Sequence, residues 1–295
     1  MVLETFNLTK RYGSVTAADG ISLRVERGMA FGILGPNGSG KTTTLGIVLS
    51  VLNPDQGTFK WFGKYPAKSV YKDIGSLLEV PNFFPYLSLA RNLEIIARIR
   101  EVETSDIDRV LDETALKGRK KSRFDTLSLG MKQRMGLAAA MLGNPSVLIL
   151  DEPANGLDPE GIAEVRNIIL RKREEKKTII MASHILDEVE KVCTDVAILK
   201  KGRTIAAGRV NELLKLDNLV VAGADDPQLL KKTIEDSGIA KSVIISGNHV
   251  EIILNENVDP ASVNSLAYEH GILLSELTVR KSTLEEQFLE LVKND

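Results

Sequence analysis

Cysteine is almost missing from this chain: Cys193 is the only one in 295 residues. A single thiol excludes an internal disulfide and a multi-cysteine zinc site, and it suits a reducing compartment better than secretion. Cys193 reads as a small buried hydrophobe. An excess of one charge is missing too: 38 Lys and Arg stand against 40 Asp and Glu, a net charge of −2. That balance gives no bulk pull toward nucleic acid or an anionic membrane, and no nucleic-acid partner is expected. No stretch approaches the roughly 20 consecutive apolar residues a spanning helix needs. The opening Met1-Val2-Leu3-Glu4-Thr5-Phe6 also lacks a basic region followed by an apolar one. The expectation is a chain that neither crosses a membrane nor is secreted, so that any work at a membrane goes through a partner that supplies the spans. What remains is 43% hydrophobic and 26% charged, which is ordinary globular composition. At about 100–200 residues per domain, the length suits one large domain or a domain with an appendage.

The most informative stretch is Gly35-Pro36-Asn37-Gly38-Ser39-Gly40-Lys41-Thr42, which fits the phosphate-loop pattern G-x-x-x-x-G-K-[ST]. Met29–Leu34 reads as a buried strand entering it and Thr43–Leu49 as a helix leaving it. Glycines let the backbone curl until several N–H groups face one anion, and the helix N-terminus adds partial positive charge there. Lys41 would reach the β/γ-phosphates and Thr42 would hold Mg²⁺. The plain alternative is a glycine-rich turn. A second feature decides between them. Val147-Leu148-Ile149-Leu150 is a continuous apolar run that ends at Asp151 and Glu152, as in a central parallel strand buried on both faces. Asp151 offers a Mg²⁺ ligand and Glu152 a carboxylate to polarise the attacking water. Alone, adjacent acids at a strand end are as well read as solvated surface; downstream of a phosphate loop they are a second half of one site.

Residues 3–28 alternate as antiparallel strands, with Ile21, Leu23 and Val25 on one face and Ser22, Arg24 and Glu26 on the other. Thr58–Phe62 is a further strand, and about Leu87 to Gly143 is mainly helical, as an insertion. Thr178–Ala182 is a second buried strand ending at Ser183-His184, and a helix over Glu160–Lys177 completes a β-α-β unit. The charged run Arg171–Lys177 reads as that helix's solvated end. Asp217-Asn218-Leu219 marks a boundary. Beyond it, strands near 219–222, 243–245 and 250–254 interleave with helices at Pro227–Ser237 and Pro260–His270, and Ser282–Val292 forms an amphipathic helix with Leu284, Phe288 and Leu291 on one face. The fold class is α/β: residues 1–216 as a nucleotide-binding core with its helical part at about 87–143, and 217–295 as a small α+β accessory domain.

From about residue 3 to 210 the chain resembles the nucleotide-binding subunits of ATP-binding cassette (ABC) transporters. Leu127-Ser128-Leu129-Gly130-Met131 is similar to the family signature LSGGQ at Ser128 and Gly130, and departs at Leu129 and Met131. Those departures resemble bacterial exporter subunits of the bacitracin-resistance and lantibiotic self-protection kind. The resemblance implies a P-loop NTPase core of the ABC ATPase type: a mainly parallel sheet, an antiparallel β subdomain and a helical insertion. It implies that Tyr12 stacks on adenine with Val15 beside it, that Gly35 to Lys41, Thr42 and Thr43 hold phosphates, and that His184 contacts the γ-phosphate and keeps Glu152 in register. Asn155-Gly156-Leu157-Asp158 resembles the D-loop, with Asp158 bridging to the opposite subunit. Glu79 stands where the family has a Q-loop glutamine, as a third Mg²⁺ contact beside Thr42 and Asp151. Phe83, Phe84 and Tyr86 are ordinary core or, by resemblance, contacts for a membrane subunit's coupling helix. His249 and His270 read as structural.

Function follows the resemblance: an ATPase, using ATP and Mg²⁺, that pairs head-to-tail with a second copy or a related subunit. It would drive export through separate multi-span permease subunits from the cytoplasmic face of the plasma membrane. The competing readings are a soluble ATPase clamp on cytosolic proteins or nucleic acid, and a regulatory or interaction role for 217–295. The transported cargo is not written in residues that lack the membrane path.

Overall fold

A computed structural model describes residues 1–78, 81–213, 219–255 and 258–280. Glu79 and the amphipathic stretch at 282–292 lie outside the described residues. The chain divides into two compact units between Val210 and Asn211.

The first unit opens with β1 (Leu3–Tyr12), paired antiparallel with β2 (Val15–Ile21) and β3 (Arg24–Val25). β4 (Ala30–Leu34) runs into the phosphate loop, α1 (Lys41–Val48) leaves it, and β5 (Gln56–Trp61) returns to pair with β1. β6 (Ile74–Leu77) follows, then α2 (Leu89–Arg100), α3 (Asp106–Glu113) and α4 (Leu129–Met141). The chain continues through β7 (Val147–Asp151), α5 (Pro159–Glu174), β8 (Thr178–Ser183), α6 (Leu186–Val192), β9 (Asp195–Lys200), β10 (Arg203–Arg209) and the single turn α7 (Val210–Leu213).

The main sheet runs β10-β9-β4-β8-β7-β6, parallel except for β10. Every residue of β4, β7 and β8 is buried, which is why these strands read as unbroken apolar runs. In the antiparallel sheet the alternation at Ile21, Leu23 and Val25 against Ser22, Arg24 and Glu26 separates buried from exposed, as the two-residue period requires. The two sheets share one core in which Trp61 is fully buried, its indole N–H donating to Val48 O at 2.8 Å. A buried indole needs such an acceptor. Cys193 is buried too, and loss of solvent pushes its thiol up to about 12.

The helices begin where the sequence supplies caps. Ser88 caps α2 by accepting from Arg91 N–H, and Asp158 caps α5, with Pro159 next, by accepting from Gly161 N–H at 2.9 Å. One expectation fails. The run Arg171–Lys177 is not wholly solvated: Lys172 is buried and its ammonium lies 2.8 Å from Glu113 on α3 and 3.0 Å from Glu175. A carboxylate brought in by another helix overturns the local charge pattern.

The second unit is β11 (Leu219–Ala224), α8 (Pro227–Ser237), β12 (Ala240–Ser246), β13 (His249–Leu254), α9 (Ala261–Glu269) and β14 (Leu274–Arg280). Its antiparallel sheet has the order β12-β13-β11-β14. Val220, Ala222, Val250 and Ile252 pack against Leu230 and Ile234 of α8 and Val263 and Ala267 of α9, so both helices cover one face. Asp226 caps α8 ahead of Pro227, and Gly238, at φ 70°, ends it. His249 meets Glu276 at 3.1 Å and His270 bonds Leu266 O at 2.9 Å.

Candidate nucleotide site

The turn from β4 into α1 is a cradle that only its own residues fit. Gly35 has φ 153° and a Cβ there would lie 2.3 Å from Leu199 O; Gly40 has φ 103° and a Cβ there would lie 2.2 Å from Ala17 O. Both positions therefore need glycine. Strand β2 and the turn after β9 brace the loop from outside, as does the bond from Gly202 N–H to Ser39 O at 3.1 Å. Inside, Lys41 is 6% exposed, donates to Gly35 O at 2.8 Å and to Pro36 O at 3.4 Å, and lies 3.3 Å from Glu152 Oε1. The Ser39 hydroxyl is buried without a hydrogen-bond partner, and the N-terminus of α1 has no side-chain cap. A buried ammonium, an unanswered hydroxyl and an open helix N-terminus together suit a phosphate group. Thr42 is exposed at the first turn of α1 and Thr43 is half-buried behind it.

The acids arrive on β7. Asp151 is its last residue and is 1% exposed. Glu152 follows in a left-handed conformation, φ 47°, held by its N–H donating to Ala182 O at 2.9 Å. That conformation costs a non-glycine residue on the order of 1 kcal/mol. The twist turns its carboxylate between two groups: Oε1 toward Lys41, and Oε2 to His184 Nδ1 at 2.7 Å and to the His184 backbone N–H at 3.3 Å. Loop lysine, strand-end glutamate and switch histidine, far apart in the chain, are thus one contact chain. Asp151 carboxylate and Thr42 hydroxyl are hard oxygen donors of the sort Mg²⁺ takes together with phosphate and water. Among the described residues no cluster of three or more His, Cys, Asp or Glu forms a self-sufficient metal cage.

Tyr12 and Val15 face each other across the β1–β2 hairpin and are 48% and 62% exposed. The phenol ring is open for stacking. The hairpin strand that carries Val15 also presents Ala17 to Gly40.

Ser128, Gly130 and Asp158 sit elsewhere. Ser128 caps α4 by accepting from Met131 N–H at 3.3 Å. It lines a cavity of about 480 Å³ with Leu129, Gly130, Gly156 and Asp158, and no residue from 35 to 43 lines that cavity. Leu129, where the family pattern has glycine, is 49% exposed at its mouth. Sequence reasoning did not single out Arg134, which lines the same cavity and pairs with Glu164 at 3.3 Å. No local pattern marks it, since its place depends on α4 meeting α5. A cavity of about 550 Å³ walled by Phe6, Arg24, Phe31 and Asp195 lies apart from both. Its size does not make it the site, because none of the phosphate-cradle residues lines it.

Phe83 packs on Phe124, ring centroids 5.0 Å apart, whereas Phe84 and Tyr86 are 48% and 63% exposed.

Residues 18–155 match the family described as ABC transporter. The chain is 34% identical over 298 residues to the bacitracin transport ATP-binding protein BcrA of Enterococcus faecalis, across 99% of this chain and 96% of that protein. It is 35% identical over 204 residues to the lantibiotic transport ATP-binding protein SrtF of Streptococcus pyogenes, across 69% of this chain and 89% of that one. A solved ATP-binding subunit of an ABC transporter superposes with a TM-score of 0.65 at 27% identity, covering 72% of this chain and 92% of its own. Cradle, paired strand-end acids and full-length likeness agree that this chain belongs to the ATP-binding, ATP-hydrolysing subunits of ABC transporters.

Proposed function

We propose that two copies of this chain, or one copy and a related subunit, close head-to-tail on ATP and drive export through separate multi-span permease subunits at the cytoplasmic face of the plasma membrane. The observation that carries this reading is the division of the binding groups. The cradle of Lys41, Glu152 and His184 and the cavity of Ser128, Gly130 and Asp158 share no residue. A nucleotide held at the first would present its γ-phosphate to the second cavity of another copy.

In this reading Gly35, Pro36, Asn37, Gly38, Ser39, Gly40, Lys41, Thr42 and Thr43 bind the phosphates and Tyr12 with Val15 holds the base. An incoming phosphate takes Lys41 from Gly35 O, Pro36 O and Glu152, which frees the Glu152 carboxylate to accept a proton from the attacking water. His184 keeps that carboxylate turned to the water. Thr42 and Asp151, with Glu79 from outside the described residues, would hold Mg²⁺, which would supply positive charge to neutralise the phosphates. Ser128 and Gly130 at the start of α4 meet the γ-phosphate from the opposite copy, with Asp158 beside them. Hydrolysis removes the bridging group and the interface opens. Phe84 and Tyr86 are the exposed aromatics that suit a permease contact. Residues 1–216 are the cassette, and 217–295 an appended module.

Among the described residues no helix is long and apolar enough to cross a membrane, and in this reading the permease subunits supply the spans. The names of the relatives make a peptide antibiotic the first cargo to test. Tagged Glu152→Gln protein purified from native membranes with ATP and Mg²⁺ should bring down a multi-span protein identifiable by mass spectrometry. Recovery of a soluble assembly instead would replace the transporter reading with the clamp.

A further inference from the structure

Strand β14 closes one edge of the second unit's sheet, and among the described residues two of those it turns toward the helix-bearing face are only partly covered. Val279 stands opposite Val220 and Leu277 opposite Ala222. Directly opposed residues of an antiparallel pair point to the same face. Val220 and Ala222 are fully buried, yet Leu277 is 37% and Val279 49% exposed: α9 reaches β14, but among the described residues the helix layer leaves these two side chains partly open. The opposite edge is defended in the usual way: β12 carries Lys241 and a register irregularity between Ala240 and Ser242. From Glu276 to Arg280, β14 pairs regularly with β11 and contains neither lysine nor proline. Among the described residues no strand pairs with its outer side.

We propose that this edge is an interface for a second copy of the chain, in which two β14 strands pair antiparallel about a two-fold axis at Thr278 and join the two sheets into one. The register follows from the side chains. An antiparallel strand crossing its own copy at Thr278 sets each Leu277 against a Val279 on the helix-bearing face and each Glu276 against an Arg280 on the open face. Two apolar pairs, two opposite-charge pairs and a central threonine pair result, all combinations that favour cross-strand pairing. Centring the pairing on Leu277 would instead oppose Ser275 to Val279 and Leu274 to Arg280, so the register centred on Thr278 is favoured over it. Glu276 is half-exposed even with His249 and Thr278 beside it, which leaves its carboxylate open to a second cation. The contact involves no residue of the nucleotide site and is independent of ATP.

Sedimentation of the full chain without nucleotide tests this with association through the ATP site silent. The wild-type chain should self-associate. Glu276→Arg and Arg280→Glu each set like charges opposite one another twice and should each weaken association about tenfold. Arg280→Glu does so without removing the His249 contact. The double exchange restores opposite charges and should return association to the wild-type value, with unchanged circular dichroism for all variants. A monomeric wild-type chain overturns the proposal, as does a wild-type dimer indifferent to both single changes or a double exchange that fails to recover. A monomer that dimerises only once 281–295 are removed would assign the edge to that tail and overturn it equally.

Discussion

Both oxygens of Glu152 are engaged, one beside the Lys41 ammonium and one on the His184 ring and backbone. Changing this residue to glutamine keeps its size and an acceptor for the His184 backbone N–H, but removes the charge and the proton acceptor. Turnover should fall at least about 100-fold, the usual weight of a general base. Nucleotide affinity should hold or rise, because Lys41 loses its anionic partner. Phosphate release together with titration of a fluorescent ATP analogue reads both, and a full rate would remove Glu152 from the base role. At this scale the sequence was most legible where chemistry fixes the spacing. The loop from Gly35 to Thr42 and the Asp151-Glu152 pair can be read because the backbone around a phosphate tolerates few alternatives. Lys172 could not be read. Its burial depends on Glu113, which tertiary packing alone brings near.

That same contact ties elements together. Arg109 binds Asp106 and Glu113 within α3, Lys172 reaches Glu113 from α5, and Asp106 also accepts from Gly143 N–H at 2.8 Å. Burial alone would raise both carboxyls. The hydrogen bonds from Lys172 and Arg109 to Glu113, and from Arg109 and Gly143 to Asp106, outweigh it and hold both below their ordinary values of 4.5 and 3.8. Folded-state values below the unfolded ones mean that the folded protein binds fewer protons, so the stabilisation is complete above about 4.5 and is lost as pH falls through the depressed values. The melting temperature of the full chain should therefore drop as pH falls below about 4.5. Glu113→Gln should melt lower at neutral pH and lose less on acidification. Parallel slopes for variant and wild type would dissociate Glu113 from the acid response. Elements with one clear period were legible: α8 occupies Pro227–Ser237 as the pattern predicts, and β7 and β8 follow their apolar runs. The hairpin of β9 and β10 and the edge strand β14 escaped notice. β10 is half-exposed along much of its length and shows no clean apolar alternation; β14 does alternate from Glu276 to Arg280, but with only two apolar residues there and both faces exposed after Leu274 it lacks the longer apolar run that marks the other strands.

At the scale of the whole molecule, the mainly parallel sheet with an antiparallel companion and a helical insertion was legible because each β-α-β crossover has one favoured hand and short connections. The proposed pairing through the nucleotide leaves no such imprint on one chain; what one chain shows is that the Lys41 cradle and the Ser128 cavity are kept apart. That separation makes a prediction of its own. If each ATP is shared between the Lys41 cradle of one copy and the Ser128 cavity of the other, a Lys41→Ala chain and a Ser128→Arg chain should each be inactive alone, since both sites of either homodimer carry a lesion. In a mixed dimer both lesions fall at one site, and the other combines an intact cradle with an intact cavity. Mixing the two inactive proteins should therefore restore ATP hydrolysis, with a maximum near equal proportions because the heterodimer is then most abundant. A site contained within one chain would give no recovery at any ratio, for every cradle or cavity would stay paired with its own defect.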